Sequence, residues 1–189
     1  MSVQPDKIYH MNFTPLSDKF DLVDRVFKGA CLAKADGIDW CFVIENDDHY
    51  PFRYFERFLP HLEKYDFIGE DKTTYYNLSN QTYRTFDHQY RSSLFTTAFR
   101  VSALNLFEWP ADETPFLDLD LWKYARHKRR KFIETGAIGI KHGLGLCGGK
   151  GHKMRLKHFD DRLHYLRTHV DEIGFEFYSK MIEKIKAKV

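Results

Sequence analysis

Five apolar residues at positions 40–44 run directly into an acidic cluster at 45–48, and Pro51 follows shortly after. An unbroken apolar run of this length is typical of a strand that is buried on both faces, as in a parallel sheet. Open α/β sheets bind their ligands beyond the carboxyl ends of such strands. The pattern therefore predicts a buried strand that delivers acidic side chains to a ligand site.

The residues before this run predict a strand and a helix. Positions 8–13 have the composition of a first strand. Thr14 is a favoured helix N-cap and Pro15 a favoured first helical residue, and the apolar positions then keep a helical period to about Lys34. With the strand at 40–44, these elements predict a right-handed βαβ crossover that ends at the acidic cluster.

The rest of the chain predicts a series of further short elements. They are a helix over 52–62 that Pro60 divides, a strand at 66–69, a hairpin of 73–78 with 82–86, a strand at 94–99 followed by a short helix, a helix over 118–128, a strand at 137–140, and a helical tail interrupted at Gly174. We therefore expect an α/β fold: one domain over 1–189 with a mixed sheet flanked by helices, and a helical tail over 155–189.

Composition limits the class of protein. The chain has 189 residues, of which 43% are hydrophobic, so it can bury a substantial core. Its net charge of +2 does not by itself imply a polyanionic partner. No apolar run approaches the roughly 20 residues that a membrane span needs, so we expect no membrane partner. Cys31, Cys41 and Cys147 are widely spaced, which is typical of reduced thiols in a cytoplasmic protein.

The acidic cluster also predicts a ligand. Its neighbouring carboxylates repel one another unless a positive charge lies between them, and a divalent cation with oxygen ligands would supply that charge. A cation held by one or two carboxylates keeps positions free for phosphate oxygens. The sequence therefore predicts a site for a metal and a diphosphate, and the alternative is a solvated acidic loop.

Two further motifs could contribute to the same site. His142 follows a predicted strand directly, so the sheet could aim its imidazole at the acidic cluster as a metal ligand. Beyond it lies a glycine-rich, basic stretch that suits an anion but lacks Walker spacing, and whose alternative is a surface loop with solvated lysines. Asp118 and Asp120 begin a predicted helix, either as ordinary first-turn acids or with one of them as a general base.

In this order, the motifs resemble those of GT-A glycosyltransferases over about residues 7–155. Residues 44–51 are similar to the acidic DxD-like triplet of that fold, which an aromatic residue and a proline often follow. Residues 116–121 resemble its xED segment, although Leu117 stands where Glu is usual, and His142 matches its C-terminal metal-binding histidine. The resemblance implies a GT-A-like, Rossmann-like domain that is short for the fold and lacks one early βα unit.

The resemblance also implies a mechanism and a role for each matching residue. A divalent metal, Mn²⁺ or Mg²⁺, would bridge the phosphates of a nucleotide-sugar donor, in the first place a UDP-sugar, and stabilise the departing nucleoside diphosphate. The implied residues are Asp48 as main metal ligand, Asp47 or Asn46 at the ribose or the metal, His142 as a further metal ligand, Lys150 and Arg155 at the phosphates, Tyr9 against the donor base, Asp118 as the catalytic base, and Asp120 as the alternative base.

Within the fold, the small size and the run at 90–100 look like the TET/JBP-associated glycosyltransferases of phages and eukaryotes. Those proteins are thought to add sugar to hydroxymethylated pyrimidines in DNA, so the resemblance implies DNA as acceptor, in the host cytoplasm if the protein is viral. Basic patches at 128–131 and 150–157 could hold its phosphates. Aromatic side chains that could pack near an extruded base are Tyr75, Tyr76, Tyr83 and Phe86.

Other functions stay open on the sequence. The same chemistry could act on a saccharide acceptor, as in surface-glycan assembly. A chain of this kind could also be a non-catalytic nucleic-acid-binding protein, or a metal-dependent nuclease that uses Asp47, Asp48, Asp118 and Asp120. The sequence predicts no oligomeric state.

Overall fold

The described residues form a mixed α/β structure with two four-stranded sheets. The computed structural model describes residues 21–111, 114, 116–142 and 156–187. Among these, no helix is both long enough and apolar enough to cross a bilayer. In chain order the elements are α1 (Leu22–Ala35), β1 (Trp40–Phe42), β2 (Phe67–Gly69), β3 (Lys72–Asn77), β4 (Thr82–Asp87), β5 (Ala98–Arg100), α2 (Leu117–Ala125), β6 (Arg130–Phe132), β7 (Ile138–Lys141), β8 (His158–Phe159), α3 (His164–His169) and α4 (Glu172–Lys186).

The first sheet has the strand order β1-β5-β2-β6. β5 runs antiparallel to both of its neighbours, whereas β2 and β6 are parallel. Phe42 and Ile68 both pair with Ala98, at the start of β5, so β1 and β2 point in the same direction. The carboxyl ends of β1, β2 and β6 therefore meet at one edge of the sheet, and the acidic cluster lies at that edge.

The second sheet, β7-β3-β4-β8, continues from two strands of the first. β2 leads almost at once into β3, and β6 leads through residues 133–137 into β7, which is again parallel to β3. The predicted hairpin is confirmed as β3 with β4, and β8 pairs with the outer side of β4. The parallel pair of β2 and β6 thus continues as the parallel pair of β3 and β7, and the chain bends where the first sheet ends and the second begins.

The core covers both faces of the first sheet and extends to the second, where Tyr75 and Tyr76 of β3 pack in different clusters. On β2, Phe67 packs in the cluster that includes α1 and α2, whereas Ile68 packs on the opposite face against Phe58. This alternation follows from the pleat, which turns successive side chains to opposite faces. The C-terminal helices cover the second sheet, where Leu166 and Ile182 pack against Tyr76.

The prediction for the apolar run at 40–44 is partly wrong. Its alternate side chains do meet apolar clusters on both faces, but the residues of β1 are half-buried and the paired neighbour, β5, is antiparallel. The run is apolar because a cluster lies on each face, which does not require parallel neighbours. The strand and the crossover predicted before α1 lie outside the described residues, while α1 confirms the later part of the predicted helix.

Other boundaries also differ from the prediction. Positions 52–62 form two short 3₁₀ segments rather than a helix, because Pro60 cannot continue an α-helix, and Phe52 is 94% exposed. Residues 94–96 form a 3₁₀ turn, so the predicted strand is limited to β5. α2 ends at Ala125, and part of the basic run continues as β6. The tail breaks between α3 and α4, whereas Gly174 lies inside α4.

Gly69 provides a test of the packing between the first sheet and α2. A Cβ atom at this position would lie 2.5 Å from Ser92 Cβ and 2.6 Å from Trp122 Cζ2. We expect Gly69→Ala to lower the free energy of unfolding by about 1–3 kcal/mol in a denaturant titration, because both neighbours are fully enclosed. Gly29→Ala in α1 meets nothing within 4 Å and should be neutral or stabilising by up to about 1 kcal/mol. Equal stability of the two variants would contradict the described packing.

Candidate metal centre

The loop that follows β1 is held in place at both ends. The Glu45 amide donates a hydrogen bond to the Tyr50 hydroxyl at 2.9 Å. At the other end, His49 and Ile138 exchange two backbone hydrogen bonds of 3.0 Å each, so the loop pairs with β7 as an isolated antiparallel bridge. The residues between these contacts therefore have a defined position.

Asp48 completes the edge of β7 with its side chain. The Ile140 amide, which points away from β3, donates to Asp48 Oδ1 at 2.6 Å. The carboxylate thus takes the place of a backbone carbonyl in the ladder. Asp48 is only 9% exposed, and its second oxygen, Oδ2, is buried without a hydrogen bond to any described residue. An unmatched buried acceptor is costly, so this oxygen favours a cation or a proton.

Three carboxylates, that of Asp48 among them, lie close together on this loop. Glu45, Asp47 and Asp48 each place one carboxylate oxygen within 4.8 Å of the others, and we call these residues the acidic triad. Carboxylate oxygens are the ligands that Mg²⁺, Mn²⁺ and Ca²⁺ prefer. The triad, together with the unmatched Asp48 oxygen, therefore suits a hard divalent cation.

The electrostatics of the triad point in the same direction. Burial, and after it the charge of Glu45, raises the pKa of Asp48 to about 8, although Lys141 opposes this shift. Burial also raises the pKa of Glu45, again against Lys141, and the charges of Asp47 and Asp118 contribute to that increase. Ionisation of both Asp48 and Glu45 is therefore unfavourable, and a bound cation would offset the repulsion between their charges.

The end of β7 brings basic groups to the triad. His142 Nε2 donates a hydrogen bond of 2.9 Å to Asp47 Oδ2, in agreement with the predicted convergence of His142 and the acidic cluster. Lys141 lies beside it, with its Nζ 4.9 Å from the centre of the Tyr75 ring. A common cation for His142 and Asp48 stays a prediction, since the hydrogen bond of the His142 ring described above is to Asp47.

Asp118 also lies near the triad. Its carboxylate forms an ion pair with Arg91, and only 13% of its side chain is exposed. Burial raises the pKa of Asp118 in spite of this ion pair, and its charge acts on both Glu45 and Tyr75. Asp120 is two positions further along α2, on a nearly opposite side of the helix, and is not among the charges that act on Glu45.

Several predicted site residues are not brought to the triad by the described structure. Tyr9, Lys150 and Arg155 lie outside the described residues, so their predicted contacts with the donor stay predictions. Asn46 is described and exposed. The aromatic side chains of the hairpin are packed rather than free: Tyr76 is fully buried, and Tyr83 stacks on another ring at 3.8 Å.

The structure adds other residues to the site. Glu45 belongs to the predicted acidic cluster, but the resemblance gives it no role of its own, although it follows the strand most directly. Tyr75 was considered only as a partner of a base, whereas its hydroxyl shares a 2.6 Å hydrogen bond with Ser93 Oγ beside the triad. Arg91 belongs to a run that was interpreted only by resemblance. For Glu45 the position in the acidic run was a usable signal, but no local pattern indicates the other contacts.

Comparisons of the chain with protein-family models, with curated proteins and with solved structures found no match. The interpretation of the triad therefore depends on its own residues and their geometry. A groove of about 800 Å³, lined by Glu70, Thr85 and Thr168 among others, is not lined by any triad residue. The triad, rather than that groove, is the candidate metal centre, because the unmatched buried oxygen is in the triad.

The two roles of Asp48 can be separated by substitution. Asp48→Asn keeps an oxygen that accepts from Ile140 and removes the buried charge, whereas Asp48→Ala leaves the Ile140 amide without its acceptor. In the presence of a chelator, we expect Asp48→Asn to be at least as stable as the wild type. Asp48→Ala should be about 1–3 kcal/mol less stable than Asp48→Asn in a denaturant titration. Equal stability of the two variants would show that the bond to Ile140 does not hold the loop.

Proposed function

We propose that this chain is a metal-dependent glycosyltransferase with a GT-A-like fold, which moves a sugar from a nucleotide-sugar donor to an acceptor hydroxyl. The observation that carries the proposal is the buried, unmatched oxygen of Asp48 within the acidic triad. Support comes from its place at the carboxyl edge of the first sheet, where α/β proteins bind nucleotides. His142 and Asp118 border the same place.

The triad residues would hold the cation, Mn²⁺ or Mg²⁺. When bound, the cation supplies positive charge that stabilises the departing diphosphate. Asp48 is the main ligand in this proposal because its position is set by the bond to Ile140. Asp47 is oriented by His142, as a neighbouring hydrogen bond commonly orients a ligating carboxylate. Lys141 limits the repulsion among the carboxylates.

Asp118 is the proposed general base. Its raised pKa gives it greater affinity for a proton than an exposed aspartate has, and the ion pair with Arg91 keeps its carboxylate oriented. In an inverting reaction, the acceptor oxygen forms a bond to the anomeric carbon while the bond from that carbon to the phosphate oxygen breaks. Asp118 takes the hydroxyl proton, and the electron pair leaves with the nucleoside diphosphate.

The proposed acceptor is a 5-hydroxymethyl pyrimidine in DNA, as the resemblance implies, with a saccharide as the alternative. The basic patch at 128–131 contributes less to a DNA surface than its composition indicated, because three of its side chains have partners within the chain. Arg129 pairs with Asp66 at 2.8 Å, and Arg130 donates to the backbone of Tyr90 at 3.2 Å. Lys128 lies 4.9 Å from the ring centre of Tyr124.

Metal-dependent binding of UDP tests the proposed site. By calorimetry, we expect UDP to bind in the presence of Mn²⁺ and not in the presence of a chelator. Asp48→Asn should weaken this binding at least tenfold, because one charged ligand is lost. Asp39→Asn replaces an exposed acid that directly precedes β1, at the end of the strand opposite to the triad, and should leave binding unchanged. UDP binding that needs no metal would contradict the proposed role of the triad.

The base assignment is tested by turnover. We expect Asp118→Asn to lower the rate of sugar transfer by about 10²–10⁴-fold while UDP binding changes less than twofold, because the base acts only in the chemical step. Asp120→Asn should keep most of the activity. The measurement is the mass gain of hydroxymethylated DNA and of oligosaccharides after incubation with a panel of nucleotide sugars. Metal-dependent cleavage of DNA without any sugar nucleotide would instead identify a nuclease.

A further inference from the structure

A groove of about 800 Å³ lies at the bend between the two sheets. Its walls come from the two residues after β2, from β3 and β4, from the end of β6 and the segment that leads into β7, from Arg57, and from α3. No triad residue lines it, so the groove is separate from the proposed metal centre. Its volume is in the range of sites that enclose small organic ligands.

Glu70 is a fixed carboxyl group in the wall of this groove. It is only 6% exposed, and Thr135 donates a hydrogen bond from its hydroxyl to Glu70 Oε2. Its backbone is also held, since its amide donates to Ser92 Oγ at 2.9 Å. The Thr135 backbone amide also interacts with this carboxyl group, so one residue fixes it from both its main chain and its side chain. Burial raises the pKa of Glu70 to about 7, so near neutral pH it can accept a hydrogen bond or donate one.

The remaining lining is rich in hydroxyl groups. Thr74 and Thr85 share a 2.7 Å hydrogen bond across the hairpin, and Thr168 contributes a further hydroxyl from α3. Tyr165 and His169 stack at 3.9 Å on the same helix and also line the groove. These groups provide several hydrogen-bonding positions beside an aromatic stack in which Tyr165 lies between Tyr83 and His169.

The charges of the groove argue against a polyanion. Three acidic residues, Glu70, Asp71 and Glu134, accompany the cations Arg57 and Lys72 in the lining. Phosphates of a nucleic acid would be repelled by the acidic side chains and would find no excess of positive charge. An uncharged ligand with many hydroxyls avoids that repulsion and can use both donors and acceptors.

We propose that this groove binds an uncharged saccharide, with Glu70 as the residue that selects the ligand through a hydrogen bond to a sugar hydroxyl. The proposal does not depend on the proposed transferase function, because the groove contains neither the triad nor Asp118. If both proposals are correct, the groove can hold a saccharide acceptor or anchor a longer glycan near the metal centre.

The test is a titration of the full-length protein, observed by amide NMR, with maltotetraose, cellotetraose and chitotetraose. We expect at least one of these to shift the amide signals of Glu70, Thr85 and Thr168. Glu70→Gln keeps an oxygen for Thr135 and should weaken binding at least fivefold. Thr85→Val should weaken it about twofold to threefold. Glu63→Gln alters an exposed acid that does not line the groove, and should leave the affinity unchanged.

The same titration separates this proposal from the transferase proposal. Asp48→Asn should bind the saccharide with unchanged affinity, even where it has lost metal-dependent UDP binding. The groove assignment is overturned if none of the three saccharides shifts these signals, or if Glu70→Gln and Thr85→Val, both folded as judged by their spectra, bind as the wild type does. It is also overturned if hydroxymethylated duplex DNA shifts the groove signals and displaces the saccharide.

Discussion

The attachment of one loop to the free edge of β7 determines the candidate site. His49 pairs with Ile138 through the backbone, and Asp48 then uses its side chain to accept the next outward-pointing amide, that of Ile140. This pairing draws Asp48 into a buried position and leaves its second oxygen unmatched. Glu45 and Asp47 lie on the same loop, so the constraint also brings their charges together. Without it, the acidic run would be an ordinary solvated loop.

The bend between the sheets places two different surfaces close to each other. Because β2 continues into β3 and β6 continues into β7, the carboxyl edge of the first sheet becomes the start of the second. The acidic triad lies beside β7 at this edge, and Glu70 lies where β2 ends. One surface concentrates negative charge, and the other combines charges of both signs with hydroxyl groups. The two surfaces therefore suit different ligands.

Most of the acidic groups at the site have a basic neighbour. His142 contacts Asp47, Arg91 contacts Asp118, and Lys141 acts on Asp48 and Glu45. These neighbours reduce the repulsion, yet burial still leaves the pKa of Asp48 near 8. Burial is the main cause of this raised pKa, and one Asp48 oxygen has no hydrogen-bond partner among the described residues. This distinguishes the triad from an acidic surface patch, in which water screens each charge.

The sequence by itself determined the kinds of elements and most of their order. Hydrophobic periodicity indicated α1, the hairpin, β7 and the C-terminal helices, since burial of one face leaves a periodic trace in the chain. It also indicated that residues 45–48 and His142 follow strands, and hence that they could meet at the edge of a sheet. The sequence could not indicate that the neighbour of β1 is antiparallel. A strand packed against apolar clusters on both faces has the same pattern whether its neighbours are parallel or antiparallel.

Only the tertiary structure decided which side chains touch. The bond from Ile140 to Asp48, the ion pair of Arg91 with Asp118, and the place of Glu70 in a groove all join residues far apart in the chain. Such contacts depend on register, on bends and on burial, none of which leaves a local pattern. The raised pKa of Asp48 is of the same kind, since it comes chiefly from the atoms that exclude water around it.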